Sequence, residues 1–206
     1  HIVNLAAMGY ECDAADIDPD MLLLTEQAAA DRTVSIRTHT ADMRQFQLQG
    51  NFDAALNMFY AFQNVLFDDM EQTAFFRGVS DLLAAPGLFV IDLLPEENNL
   101  HLFPPGTHFP VHHSEQDNGT TLTVTSTNRV LSDKVKEIVF HYATTQQDGT
   151  SETREIVSPI RRVYLEQFHE LLANTGFTLV GQYGDFDIDH PFDAESSKLI
   201  AVLQKA

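Results

Sequence analysis

The sequence predicts an α/β domain with a Rossmann-like, mostly parallel sheet and an antiparallel β insertion. From His1 to Leu100, apolar runs of strand length alternate with amphipathic helical stretches, the pattern of a parallel sheet with helical crossovers. After Leu100 the texture changes to Thr-rich, alternating runs separated by turn residues, which reads as an antiparallel meander. The chain has 206 residues, 44% hydrophobic and 20% charged, enough for one well-cored soluble domain carrying an insertion.

His1 to Met8 reads as the back half of a helix, with Ile2, Leu5 and Ala6 at helical spacing and Gly9 as terminator. Glu11 to Ile17 is a buried strand ending near Asp16. A carboxylate at such a tip is placed to take both ribose hydroxyls of a nucleoside, because ligands sit outside the carboxyl ends of doubly wound strands. Asp18 is then an N-cap, with Pro19 at the first position of a helix reaching Asp31. Val34 to Thr40 alternates as a strand, with Val34, Ile36 and Thr38 on one side, and delivers Ala41-Asp42-Met43-Arg44 to its end. Asp42 alone reads as a turn former or a ligand contact; the interval of one helix and one strand returns it to the sheet edge of Asp16.

Phe52 to Phe59 is a near-continuous apolar run of the kind expected in the middle of a parallel sheet. Asn57 inside it requires a partner, whereas Phe59 and Phe62 read as core or as site lining. Asp68 to Ala85 is an amphipathic helix closed by Pro86-Gly87, and Leu88 to Leu94 is the next strand, with Asp92 either facing substrate or structural. His101 to Pro110 is Pro-rich. Phe109 to His113, Thr120 to Val130, Lys134 to Thr145 and Thr153 to Tyr164 are the strands of the meander, with turns at Asp117-Asn118-Gly119, Ser132-Asp133 and Gln147-Asp148-Gly149. Tyr164 to Thr175 is a helix ended by Gly176, with Leu165, Phe168, Leu171 and Leu172 on one face; Phe177 to Tyr183 and Ser197 to Leu203 read as strands.

Gly9-Tyr10-Glu11-Cys12-Asp13-Ala14-Ala15-Asp16-Ile17-Asp18-Pro19-Asp20-Met21-Leu22 resembles a segment of class I S-adenosylmethionine-dependent methyltransferases of small-molecule type. The stretches FDAALNMFYAF, LLAAPGLFVIDLLPEE and RRVYLEQFHELLANTGFTLVGQYGDFD are similar to later segments of that family, so the resemblance runs from His1 nearly to Ala206. It implies S-adenosylmethionine as cofactor, with Asp16 and Ile17 at the ribose, Asp42 and Met43 at the adenine, and Asn57, Met58 and Phe59 at the methionine end. Tyr60 is then a catalytic candidate at the reaction centre. The resemblance makes residues 1–100 and 161–206 the core, closed by a C-terminal antiparallel strand pair, and 101–160 an antiparallel β insertion that roofs the substrate pocket or pairs subunits into a homodimer. The family's first strand and glycine-rich turn would lie immediately before His1, and no G-x-G occurs in this sequence. Two expectations follow: a fragment of a longer methyltransferase, or a shortened, non-catalytic binding subunit.

The formal charge of −18, with only 12 Lys and Arg, argues against a nucleic-acid surface and for a small-molecule substrate. No apolar run approaches the ~20 residues that cross a bilayer and no signal-peptide pattern opens the chain, so no membrane partner and a cytoplasmic location are expected. The single cysteine, Cys12, excludes an internal disulfide and a cysteine-rich zinc site and reads as a buried thiol. Strand alternation would put His108 and His112 on one face and His113 on the other; these three read as metal ligands, substrate contacts or polar surface. His112 is the candidate base, His113 a candidate substrate contact, and no metal is assigned. Arg161 and Arg162 either clamp a substrate carboxylate or phosphate or pair with nearby acids, and Arg162 is the substrate-binding candidate. No G-x-S-x-G and no Tyr-x-x-x-Lys offers a rival chemistry. Methyl transfer to an N, O or C nucleophile, achieved by positioning, is the expected activity.

Overall fold

In a computed structural model of the chain, which describes residues 1–45, 48–116 and 118–206, two units separate at Gly50: His1–Gly50 and Asn51–Ala206. Asp117, the first residue of one expected turn, lies outside the described residues.

The first unit contains α1 (Ile2–Ala7), β1 (Asp13–Asp16), α2 (Pro19–Asp31), β2 (Arg37–Thr40) and a 3-10 turn at Met43–Gln45. β1 and β2 pair in parallel, with Asp16 opposite Thr40. The start of α2 follows from its sequence. The Asp18 carboxylate accepts the Asp20 N–H at 2.9 Å, and Pro19 sits where a missing N–H costs nothing. Both strands are shorter than their apolar patterns suggest, because the ladder extends only where the two segments pair.

The second unit holds two sheets. Its α/β portion comprises β3 (Phe52–Asn57), α3 (Ala61–Val65), α4 (Asp69–Leu82), β4 (Leu83–Leu93), α5 (Glu96–Leu102), α6 (Leu165–Ala173), β9 (Phe177–Tyr183) and β10 (Leu199–Lys205). The strand order is β3-β4-β10-β9; β3 and β4 are parallel, while β10 runs antiparallel to both β4 and β9. The strand, helix and strand alternation thus yields parallel pairs, and the chain ends in an antiparallel pair. β3 is the edge of this four-stranded sheet rather than its middle, and Leu56 remains 45% exposed.

α4 stops at Leu82, earlier than the amphipathic pattern suggests, and Ala85-Pro86-Gly87 lies inside β4 rather than in a turn. Proline removes a backbone donor and biases the residue before it toward extended geometry, so the helix cannot continue. The register with β3 slips between Phe52 and Ala54, accommodating this stretch.

β5 (Phe109–Glu115), β6 (Thr121–Val130), β7 (Val135–Thr145) and β8 (Ser151–Arg161) form the second sheet, an antiparallel meander in sequence order. The core of the α/β portion is an aromatic cluster centred on fully buried Phe76, whose ring meets Phe62, Phe75, Phe89, Phe168 and Phe177 at 5.4–6.2 Å between centroids. Such edge-on pairs add to the burial of large apolar side chains.

Two buried polar devices tie the sheets together. Gln63, fully buried in α3, accepts the Leu94 N–H at 2.6 Å and donates to the carbonyls of Leu94 and Arg161 at 3.2 and 2.9 Å. Glu96, fully buried in α5, takes Lys136 Nζ at 2.7 Å and Arg162 Nε at 3.0 Å. A buried charge survives only when paired in this way.

Candidate active site

In α/β sheets, ligands bind outside the carboxyl ends of the strands. In the first unit that edge carries Asp16, the last residue of β1, and Asp42, two residues past the end of β2. The in-register pairing of Asp16 with Thr40, continued by the Ala41 N–H donating to the Asp16 carbonyl at 2.9 Å, brings both carboxylates out on one edge. Asp16 Oδ1 accepts the Asp18 N–H at 2.9 Å, fixing its side chain. Asp42 Oδ1 accepts the Arg44 N–H at 2.9 Å, and the Arg44 guanidinium lies 2.6 Å from Oδ2. That guanidinium, with the backbone N–H, holds the Asp42 carboxyl below the usual carboxylate range. Ile17 is exposed and Met43 half-buried beside these acids. Cys12 is buried, as expected, and burial raises its thiol above the ordinary value.

In the second unit the corresponding edge is built from the ends of β3, β4 and β9 and the start of β10. Asn57 closes β3, and its side-chain oxygen accepts the Phe62 N–H at 3.0 Å, the partner that a polar residue in an apolar run requires. Phe59 and Tyr60 both have φ of 58°, a left-handed conformation unfavourable for residues with a Cβ. Asp92, 2% exposed, stabilises it: its carboxylate accepts the N–H of Phe59 at 3.0 Å and of Tyr60 at 2.9 Å. Strain of this kind persists where surrounding contacts over-determine it, and it concentrates at functional sites. Met58 is half-buried in this turn, whereas Phe59 is 69% exposed.

Burial raises the Asp92 carboxyl above its ordinary value, against the pull of the two N–H groups. Burial, followed by the negative charges of Asp92 and Asp185, pushes the Tyr60 phenol up to about 12. Asp185 follows β9; Lys198, just before β10, lies 3.5 Å from its carboxylate and 5.2 Å from the Phe186 ring centroid. The sequence signals Asp92 only by its place near a strand end. It gives no signal for Asp185 and Lys198, whose proximity depends on β9 and β10 meeting at this edge.

The histidines are arranged differently from the alternation expected. A bulge between Pro110 and His112 leaves Val111 without a register partner, so His112 sits opposite Val124 and His113 opposite Thr123. His113 Nδ1 lies 3.0 Å from Thr123 Oγ1 and His108 Nδ1 lies 3.5 Å from Thr125 Oγ1, so His108 shares a face with His113, not with His112. The added residue inverts the faces. Among the described residues no group of three or more His, Cys, Asp and Glu side chains is arranged to hold a metal.

Arg162 is also a correction. Its Nε donates to Glu96 Oε1 and its Nη1 to the Ser132 carbonyl at 2.6 Å, and the side chain is 10% exposed. Its fork is directed into the protein, as one of the two sequence readings allowed, and not toward a substrate.

These edges belong to an architecture seen before: the chain has the fold of S-adenosylmethionine-dependent methyltransferases. The S-adenosylmethionine-dependent methyltransferase from Clostridium acetobutylicum ATCC 824 superposes with a TM-score of 0.78 at 12% identity, over 96% of this chain and 76% of that one. For the CcbJ methyltransferase from Streptomyces caelestis the TM-score is 0.79 at 20% identity, over 98% and 77%. CalS10, an amino pentose methyltransferase from Micromonospora echinaspora whose structure contains bound S-adenosylmethionine, gives 0.71 at 19%, over 98% and 86%. No family model and no curated protein matches the sequence. Among the described residues no helix is long and apolar enough to cross a membrane.

Proposed function

We propose that the chain is a methyltransferase that uses S-adenosylmethionine to methylate a small-molecule nucleophile. The observation that carries this reading is the pair of carboxylates leaving adjacent parallel strands, Asp16 and Asp42, on a methyltransferase fold. An adenosyl group offers ribose hydroxyls and an amino group as donors, and Asp16 and Asp42 offer carboxylate acceptors to them, Asp42 alongside the Arg44 it already holds. Asp16 would accept the ribose hydroxyls with Ile17 beside it, and Asp42 and Met43 would hold the adenine. In the second unit, Asn57, Met58 and Phe59 are the candidates that the family resemblance offers for the methionine end, and Tyr60 for the reaction centre.

When bound, S-adenosylmethionine supplies an electrophilic methyl group on a sulfonium. The protein's part is orientation and exclusion of water. Asp92 fixes the backbone of Phe59 and Tyr60, and a phenol pushed up to about 12 stays protonated at neutral pH, so Tyr60 acts as a hydrogen-bond donor and not as a base. CalS10, which has the same fold, acts on an amino pentose, which makes an amine the best-supported nucleophile among N, O and C. An ammonium must shed a proton before it attacks; His112 is the candidate base and His113 a candidate acceptor contact. The insertion of residues 101–160 would roof the acceptor site or pair two copies of the chain.

Transfer of labelled methyl from S-adenosylmethionine to a panel of small amines, phenols and carboxylates tests this. Amines should be labelled, and Tyr60→Phe should lower kcat more than it raises KM. Labelling of phenols alone would reverse the choice of nucleophile, and no labelling by chain shown to bind cofactor would refute the activity.

A further inference from the structure

Arg161, the last residue of β8, has a side chain 5% exposed whose Nη2 donates to Asp69 Oδ1 at 2.6 Å. Its Nε and Nη1 are buried and have no hydrogen-bond partner among the described residues. A guanidinium carries five donors in a fixed fork, and buried donors are seldom left unmade. The side chain lines a partly open pocket together with Phe62, Gln72, Arg162, Gln167 and Leu171, with space inside for a particle the size of a water molecule.

The charge around this pocket is also out of balance. Lys134 and Arg161 share Asp69, while Lys136 and Arg162 share Glu96, so in these ion pairs four cations meet two carboxylates. That excess sits in a chain whose formal charge is −18. Water could accept one of the orphaned N–H groups, but it would leave the charge uncompensated; a small anion does both. A halide needs little more room than a water molecule, less than phosphate or a carboxylate ligand requires.

We infer that this pocket binds a monovalent anion of halide size, with Arg161 as its principal ligand. Chloride fits in size and charge. Its place is structural: Asp69 opens α4, Arg161 closes β8, and Gln63 of α3 holds the Arg161 carbonyl, so an occupied site fastens α4 and α3 to the end of the meander.

Melting of the full chain in sodium chloride and in sodium gluconate at equal ionic strength tests this, because gluconate is far larger than a water-sized space. At roughly ten times the dissociation constant, chloride should raise Tm by about 3–6 °C over gluconate. Sodium bromide should do the same. Arg161→Met should abolish the difference. Should that variant fail to fold, anomalous scattering from bromide-soaked wild-type crystals decides, with a peak expected within hydrogen-bonding reach of Arg161. Equal melting in the two salts, a difference retained by Arg161→Met, or a pocket holding water alone would overturn the inference.

Discussion

Asp92 holds Tyr60 in a left-handed turn: its Oδ1 accepts the Tyr60 N–H at 2.9 Å, and Tyr60 has φ of 58°. The partner oxygen does the same for Phe59 at 3.0 Å. A two-residue strained segment therefore depends on one buried carboxylate at the neighbouring strand end. Asp92→Asn keeps the shape but leaves only one oxygen for two N–H groups. It should cost about 1–3 kcal/mol of stability, measured by urea unfolding. A loss below about 0.5 kcal/mol would mean the turn holds itself.

The Tyr60 phenol gives a spectroscopic prediction. With its value raised from 10.0 to about 12, the folded state keeps its proton where the unfolded state has lost it. Stability should fall as pH rises from about 10 to about 12. In an ultraviolet titration of tyrosinate, the last step should disappear in Tyr60→Phe.

Acid should act in the opposite sense. Asp13 is held below the ordinary carboxyl value, chiefly by Arg37 and then His39, and Asp69 by Lys134 and then Arg161. A depressed carboxyl stabilises the fold above its unfolded value and loses that contribution as pH falls through its folded value. Tm should therefore be flat between about pH 6 and 4.5 on account of these groups and decline below about 3.8. Arg37→Gln should shrink the Asp13 share of that decline.

Much of this fold can be read from the residues, because strand and helix periods and turn chemistry are local. The Asp18-Pro19 start of α2, the β9 strand and the four-stranded meander all obey such rules. The boundary at Leu82 and the slip around Pro86-Gly87 were obscured because an amphipathic period does not say where a ladder takes over. The candidate site was legible where one residue marks a strand end, as at Asp16, Asp42 and Asn57. It was illegible where geometry comes from pairing: the bulge at Val111 that exchanges the faces of His112 and His113, the inward turn of Arg162 onto Glu96, and the meeting of Asp185 with Lys198.

Glu96 supplies a packing prediction. It is the shared partner of Lys136 and Arg162, and its environment is closed to water. Burial pulls the Lys136 ammonium down, and the Glu96 carboxylate counters it. Glu96→Gln leaves two buried cations without their carboxylate and should destabilise the chain by about 3–5 kcal/mol in denaturant. Adding Lys136→Met should recover part of that loss.

The central claim is that the edge carrying Asp16 and Asp42 holds the adenosyl group, and calorimetric titration of S-adenosylhomocysteine into this chain tests it most directly. Micromolar binding is predicted, weakened at least about tenfold in Asp16→Ala, a loss of roughly 1.4 kcal/mol or more for a charge-assisted contact. A folded chain that takes up no S-adenosylhomocysteine, or that binds it equally well as Asp16→Ala, would contradict the assignment.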